Sequence, residues 1–226
     1  MGDDLLEFRD RISLALCANR PEDIISISKT YLTTFRDIPP NDRQTVYSTY
    51  QKLILDFNFK SYWKLISTGL KEKIELEYLE SIENEIDYLC SDIVEMIDNY
   101  FLASTLNEDL DIIYTLRQRA DFLFFNSSIA RPATKQIILQ SALRSYTEGV
   151  ERSRLTLAFN EPERVLIQLR KCACEVQLSN GICSSETYFE LVNEIQQMKS
   201  SSVSCDPQLI EQMESYRLEL DKIRRK

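Results

Sequence analysis

Two lysines four residues apart, Lys60 and Lys64, flank the only tryptophan of the chain in the run Lys60-Ser61-Tyr62-Trp63-Lys64. At that spacing they share one face of a helix. Like charges so placed repel each other by roughly 0.2–0.5 kcal/mol. A doubly charged phosphate set between them turns that repulsion into charge-assisted hydrogen bonding. Anion capture is the chemistry this run offers. Taken alone, the run also reads as an ordinary amphipathic helix with two solvated lysines.

Other chemistries find little support. The chain contains no histidine, which removes Ser-His-Asp and Cys-His catalysis and the usual zinc sites. Its six cysteines, Cys17, Cys90, Cys172, Cys174, Cys183 and Cys205, form no CxxC pair, and several fall at apolar helical positions. They are expected to be reduced and buried, with no metal bound. Carboxylates paired at helical spacing, such as Glu83 and Asp87, read most simply as a solvated face. With no phosphate loop and no nucleophile beside a base, the chain is expected not to be an enzyme and to need no cofactor. A net charge of −9 argues against nucleic acid as a partner but leaves room for a local basic pocket. The basic end, Lys222 to Lys226, complements the carbonyl end of a final helix. The charged start, Met1-Gly2-Asp3-Asp4, is not a signal peptide, and Leu6 stands where a myristoylation signal needs Ser or Thr. With no apolar run long enough to cross a bilayer, no membrane contact and a cytoplasmic location are expected.

The lysines must be positioned by helices. Only 4 glycines and 6 prolines are present, too few for a loop-rich or many-turned β protein. Pro21, followed by Glu22 and Asp23, can open a helix. Pro39-Pro40-Asn41 precedes a long third helix, and Asn107 can cap another whose first turn carries Glu108 and Asp109. Pro132, Pro162 and Asp206-Pro207 mark further starts. Gly181 ends the helix begun at Pro162, and Ser184 or Ser185 can cap the next. Between these marks apolar residues recur at spacings of three and four, as in Ile82, Ile86, Leu89, Ile93 and Ile97. The count is about nine helices with short connections, which favour antiparallel neighbours. Periodicity alone reaches only an all-α bundle or a superhelical array; no exact repeat is present, although a tetratricopeptide-like array has the same coarse appearance. The third helix is irregular: the stripe Val46, Tyr50, Leu53, Phe57 gives way to Leu55, Phe59, Tyr62, Ile66. That slip of about two positions predicts a bulge or a change of packing partner.

The stretch from Asn41-Asp42-Arg43 through Tyr50 to Trp63 and Ser67 resembles the third helix of the 14-3-3 proteins. In that family basic residues around a tryptophan grip the phosphate of a phosphoserine or phosphothreonine peptide. The similarity runs weakly over almost the whole chain. Leu14, Ala18, Arg20 and Asp23 match the family's dimer surface. The run Tyr78-Leu79-Glu80 to Glu85, then Cys90-Ser91-Asp92, matches its fourth helix, with Tyr78 and Glu85 at dimer contacts. Asp121 and Pro162 also align. The resemblance implies an all-α fold of about nine antiparallel helices in a 14-3-3-like cup, dimerising through its N-terminal helices. Residues 1–226 would form one domain, with 1–102 for dimerisation and the groove floor and 103–226 for the groove wall. It also implies an Arg20–Glu85 ion pair across the dimer, whereas the family's lysine partner for Asp23 is Ser81 here.

Anchored on Trp63, Lys60 and Lys64 fall on two basic groove positions of the family. A third becomes Gln51 or Lys52, according to where the slip is placed, and Lys52 is preferred. The family's phosphate-binding Arg-Tyr pair becomes Phe124-Phe125, which removes a bidentate donor and a hydroxyl. Two groove asparagines become Arg170 and Arg217, either of which could restore an anion contact or stand as an ordinary solvated arginine. Leu169, Ala173, Leu209, Ile210 and Met213 align with the apolar groove wall, though at helical spacing they fit plain core as well.

Two functions follow from the resemblance. One is a homodimeric adaptor binding phosphorylated Ser/Thr segments of client proteins. The other keeps the dimeric scaffold but weakens or loses phosphate dependence, with Phe124 and Phe125 favouring acidic-hydrophobic or unmodified peptides.

Overall fold

The protein is described by a computed structural model. It covers residues 2–69, 73–158, 161–179 and 185–200, with positions 211, 214, 215, 217, 218 and 221. Most of these residues are helical and no strand occurs among them, so the all-α expectation holds. Eight helices have defined bounds, and the six isolated positions are helical too. The chain divides into two compact units, Met1–Asn107 and Glu108–Lys226.

The first unit begins with α1 (Gly2–Cys17) and α2 (Pro21–Phe35). Phe8, Ile12 and Ala15 on α1 and Ile24 and Leu32 on α2 are buried at steps of three to eight, one stripe per helix. Pro21 sits in the first turn of α2 with Glu22 and Asp23, as the sequence predicts. The third helix, α3, spans 40–68. It consists of Pro40–Gln51, a π-helical segment Lys52–Phe59, and Lys60–Thr68, joined with right-handed helical dihedrals at both seams. α4 spans 73–101 and ends in a π-helical turn, Ile97–Phe101. Its stripe Ile82, Ile86, Leu89, Ile93 and Ile97 is fully turned inward.

The π segment resolves the slip in α3. Its buried residues are Val46 and Tyr47, then Tyr50, Leu53 and Ile54, Asn58 and Phe59, and Tyr62. The steps from Leu53 to Asn58 and from Ile54 to Phe59 are five residues, matching the i→i+5 pattern of a π helix. One continuous buried face results where an α helix would have rotated away. Leu55, Phe57 and Ile66, expected within the apolar stripes, are exposed instead.

An arginine locks this unit's connections. Arg43, with 1% of its surface exposed, donates to Ile38 O at 2.6 Å, Asn107 Oδ1 at 2.6 Å, Asp37 Oδ1 at 2.9 Å and Phe101 O at 3.3 Å. Such a buried charge is tolerable because its donors are satisfied. Asn107 is thereby recruited to the arginine. The cap of the next helix is Glu108, not Asn107, in a reciprocal box with Asp111.

The second unit contains α5 (Asp109–Ser127), α6 (Pro132–Thr156), α7 (Pro162–Leu178) and α8 (Ser185–Ser200). Pro132 and Pro162 occupy first turns, where a missing N–H costs nothing. Ile113, Ala120, Leu139, Ala142, Tyr146, Val150, Ile167 and Cys174 form its core. α6 and α7 approach closely at Gly149, where a Cβ would stand 2.1 Å from Ile167 Cδ1. Cys90, Cys172 and Cys174 are free and buried, and Cys17 is free and exposed. Burial pushes the Cys174 thiol up to about 12. Cys183, Cys205, Gly181, Ser184 and Pro207 lie outside the described residues. No helix among the described residues is long and apolar enough to cross a membrane.

Candidate functional site

In the first unit the lysines follow directly on the π segment. Lys60 is exposed, its Nζ 2.8 Å from Asp56 Oδ1 one turn back. The hydrogen bond and charge of Lys60 hold the Asp56 carboxyl below its ordinary range. Lys64 is exposed, and its ammonium has no hydrogen-bond or ion-pair partner among the described residues. Between them Trp63 is 56% exposed, while Tyr62 is buried and packs edge-on against both Phe59 and Trp63. Lys52, at the start of the π segment, donates to Asn19 Oδ1 in the turn between α1 and α2 at 2.9 Å.

The second unit holds a contrasting constellation. Asp121, with its side chain 5% exposed, accepts from Tyr146 Oη at 2.6 Å and from an Arg117 terminal nitrogen at 3.0 Å. Arg117 also donates twice to Glu163, from Nε to Oε1 and from its second terminal nitrogen to Oε2 at 3.2 Å. Burial opposes the Arg117 charge, but the Glu163 bond and the two carboxylate charges outweigh it and raise its pKa. Burial raises the Tyr146 hydroxyl, and the neighbouring Asp121 charge adds to it. Arg117 and Asp121 lie on α5, Tyr146 on α6 and Glu163 on α7, so the cluster ties three helices together.

Arg170, on α7, sits at the edge of this cluster. Its side chain is 49% exposed, and its Nε stands 3.7 Å from Asp121 Oδ1, the longest of the Asp121 contacts. One turn along α5, Phe124 is half-buried against the core, and Phe125 packs edge-on to Phe122. Leu169 and Ala173, flanking Arg170, are half-buried. Arg217 donates to Glu214 Oε2 at 2.7 Å and Asp221 Oδ2 at 3.1 Å. Leu209, Ile210 and Met213 lie outside the described residues.

Of the residues matched to the dimer surface, Leu14 is 70% and Tyr78 57% exposed, and Ala18, Arg20 and Glu85 are also exposed. Half-buried Asp23 takes Arg20 as an ion-pair partner within the same chain, at 2.9 Å. Sequence reasoning did not single out Asp56, Arg117, Tyr146 or Glu163. The four-residue spacings Asp56–Lys60 and Arg117–Asp121 were a visible signal. Glu163 and Tyr146 are distant in sequence and gave none.

An all-α chain with an aromatic-basic run on its third helix agrees with the resemblance, and the family comparison is specific. The model of the 14-3-3 protein family matches residues 11–174. The chain belongs to the 14-3-3 family. It is 24% identical over 174 residues to 14-3-3 protein beta/alpha of Rattus norvegicus, covering 74% of this chain and 70% of that one. The Homo sapiens protein of the same name is 23% identical over the same shares. 14-3-3 protein beta/alpha-1 of Oncorhynchus mykiss is 21% identical over 213 residues, 91% of this chain and 81% of its own. Such identities mark a divergent member. The span 11–174 contains Lys52, Lys60, Lys64, Phe124, Phe125, Leu169, Arg170 and Ala173, whereas Leu209, Ile210, Met213 and Arg217 lie beyond it.

Proposed function

We propose that the chain is a homodimeric adaptor that binds phosphoserine- or phosphothreonine-containing protein segments, with Lys60 and Lys64 as the principal phosphate ligands. Family membership supports a phosphopeptide-binding adaptor in general, with no catalytic role. The observation that carries the reading is the free ammonium of Lys64 one turn beyond Lys60, beside the exposed Trp63. A charge-assisted bond from either lysine to phosphate contributes about 1.5–3 kcal/mol. Lys52 is the third cation of this set. Arg170 is an auxiliary donor: its 3.7 Å contact is the loosest on Asp121, which keeps Arg117 and Tyr146 if Arg170 turns to a ligand. Arg217 would have to leave two carboxylates to do the same. Leu169, Ala173, Leu209, Ile210 and Met213 would contact apolar ligand side chains. Dimerisation would use Leu14, Ala18, Arg20, Asp23, Tyr78 and Glu85. The exposure of Leu14 and Tyr78 favours apolar burial as its main driving force.

A second reading is favoured by Phe124 and Phe125, which bring no phosphate donor to α5. The scaffold would then take acidic-hydrophobic or unmodified peptides. Binding of a phosphoserine peptide beside its unphosphorylated twin decides between the two. The first reading expects binding that depends on the phosphate, and equal affinities would establish the second. Sedimentation at micromolar concentration should show a dimer, and a monomer there would refute the dimeric reading.

A further inference from the structure

The exposed face of α3 carries a fourth charged group in line with its three lysines. Lys52, Asp56, Lys60 and Lys64 follow one another at steps of four residues. In a regular α helix each such step drifts by about 40°, so Lys52 and Lys64 would stand about 120° apart. The π segment Lys52–Phe59 covers two of the three steps. Its wider turn, closed by i→i+5 bonds, drifts the opposite way and cancels most of that rotation. The buried residues of the same segment follow the same wider turn, because Leu53 and Asn58, and Ile54 and Phe59, recur at steps of five and are all buried. Asp56 accordingly lies within the influence of both neighbours, hydrogen-bonded to Lys60 and drawn by the charge of Lys52. The stripe is three cations with one resident anion, a net charge of two that matches the phosphate dianion.

We propose that Asp56 is a built-in competitor for the phosphate site: in the empty protein its carboxylate occupies Lys60, and a bound phosphate displaces it. The inference rests on the phosphopeptide reading given above. Carboxylate and phosphate are both acceptors only, so they compete for the same ammonium protons. The phosphate brings more charge and three oxygens, which lets it win, while Asp56 keeps the affinity below what three lysines would give. Exposure of the Asp56–Lys60 pair makes the exchange easy, since such pairs add little to stability. Lys52 donates to the neutral Asn19 oxygen instead of hydrogen-bonding Asp56.

The test is Asp56→Asn, measured against a phosphoserine peptide and its unphosphorylated twin, with the fluorescence of the single tryptophan as readout. The variant is expected to bind the phosphopeptide about two- to fivefold more tightly, the scale of an exposed ion-pair coupling, and the twin no differently. Circular dichroism should show unchanged helix content. An unchanged or weaker phosphopeptide affinity in Asp56→Asn, with the wild type binding normally, overturns this proposal alone and makes Asp56 a passive or orienting partner of Lys60. If the wild type does not distinguish the two peptides, the phosphopeptide reading falls and this proposal falls with it.

Discussion

Both units concentrate charge, but they hold it in opposite ways. The α3 lysines are exposed, and the Lys64 ammonium has no partner among the described residues. In the second unit Arg117, Asp121, Glu163 and Tyr146 are interlocked and largely sealed from water. A sealed charge cluster costs desolvation and returns it only if every partner stays in place. Its members are therefore committed to holding α5, α6 and α7 together. An exposed lysine has made no such commitment, and its charge remains available to a ligand. Arg170, half-exposed at the rim of the cluster, stands between the two regimes.

Substitutions should separate these roles by their effect on stability. Asp121→Ala leaves Arg117 and the Tyr146 hydroxyl short of a buried partner. It should destabilise the fold by about 3 kcal/mol, the low end for breaking a buried pair, because Glu163 still neutralises Arg117. Chemical denaturation reads this directly, and a loss below about 1 kcal/mol, the range of exposed pairs, would erase the contrast between the units. Arg170→Ala removes a long, half-exposed contact and should change stability by less than about 1 kcal/mol. The same variant should weaken phosphopeptide binding if Arg170 serves the ligand, and leave it untouched if it serves only Asp121.

A smaller effect is expected from pH. Burial works against the Glu190 charge, but Lys171 and Arg154 outweigh it, so its pKa is lowered in the folded protein. A depressed carboxylate contributes stability that is present above its unfolded pKa and is lost as pH falls through the folded value. Acidification should therefore weaken the α7–α8 contacts, where Lys171 meets Glu190 at 3.3 Å, and Glu190→Gln should flatten that acid limb. An acid limb that is identical in the variant would remove Glu190 from the cause.

How much of this was legible in the sequence follows from the range of each interaction. The α4 stripe from Ile82 to Ile97 and the starts at Pro21, Pro132 and Pro162 depend on neighbours a few residues away, and they read correctly. The slip in α3 was visible as two stripes out of phase. Its resolution by a π segment, which buries Ile54 and Asn58 and exposes Leu55 and Phe57, depended on what packs against each face. Asn107 had the composition of a cap but was taken by Arg43, 64 residues away. The Arg117–Glu163 bond spans 46 residues and had no local signature at all. Candidate site positions anchored on Trp63 and Asp121 come from resemblance, whereas the contacts these residues make needed the fold.

The central claim is that phosphate is captured by the exposed cations of α3. The direct test is to reverse both charges, Lys60→Glu with Lys64→Glu, and to titrate a phosphoserine peptide against this variant and the wild type. Both side chains are on the surface, so thermal stability should shift by less than about 1 kcal/mol. The account predicts that phosphopeptide binding is abolished while helix content and stability are retained. Binding that survives the double reversal at wild-type affinity would contradict it, because the phosphate would then be held elsewhere or not recognised.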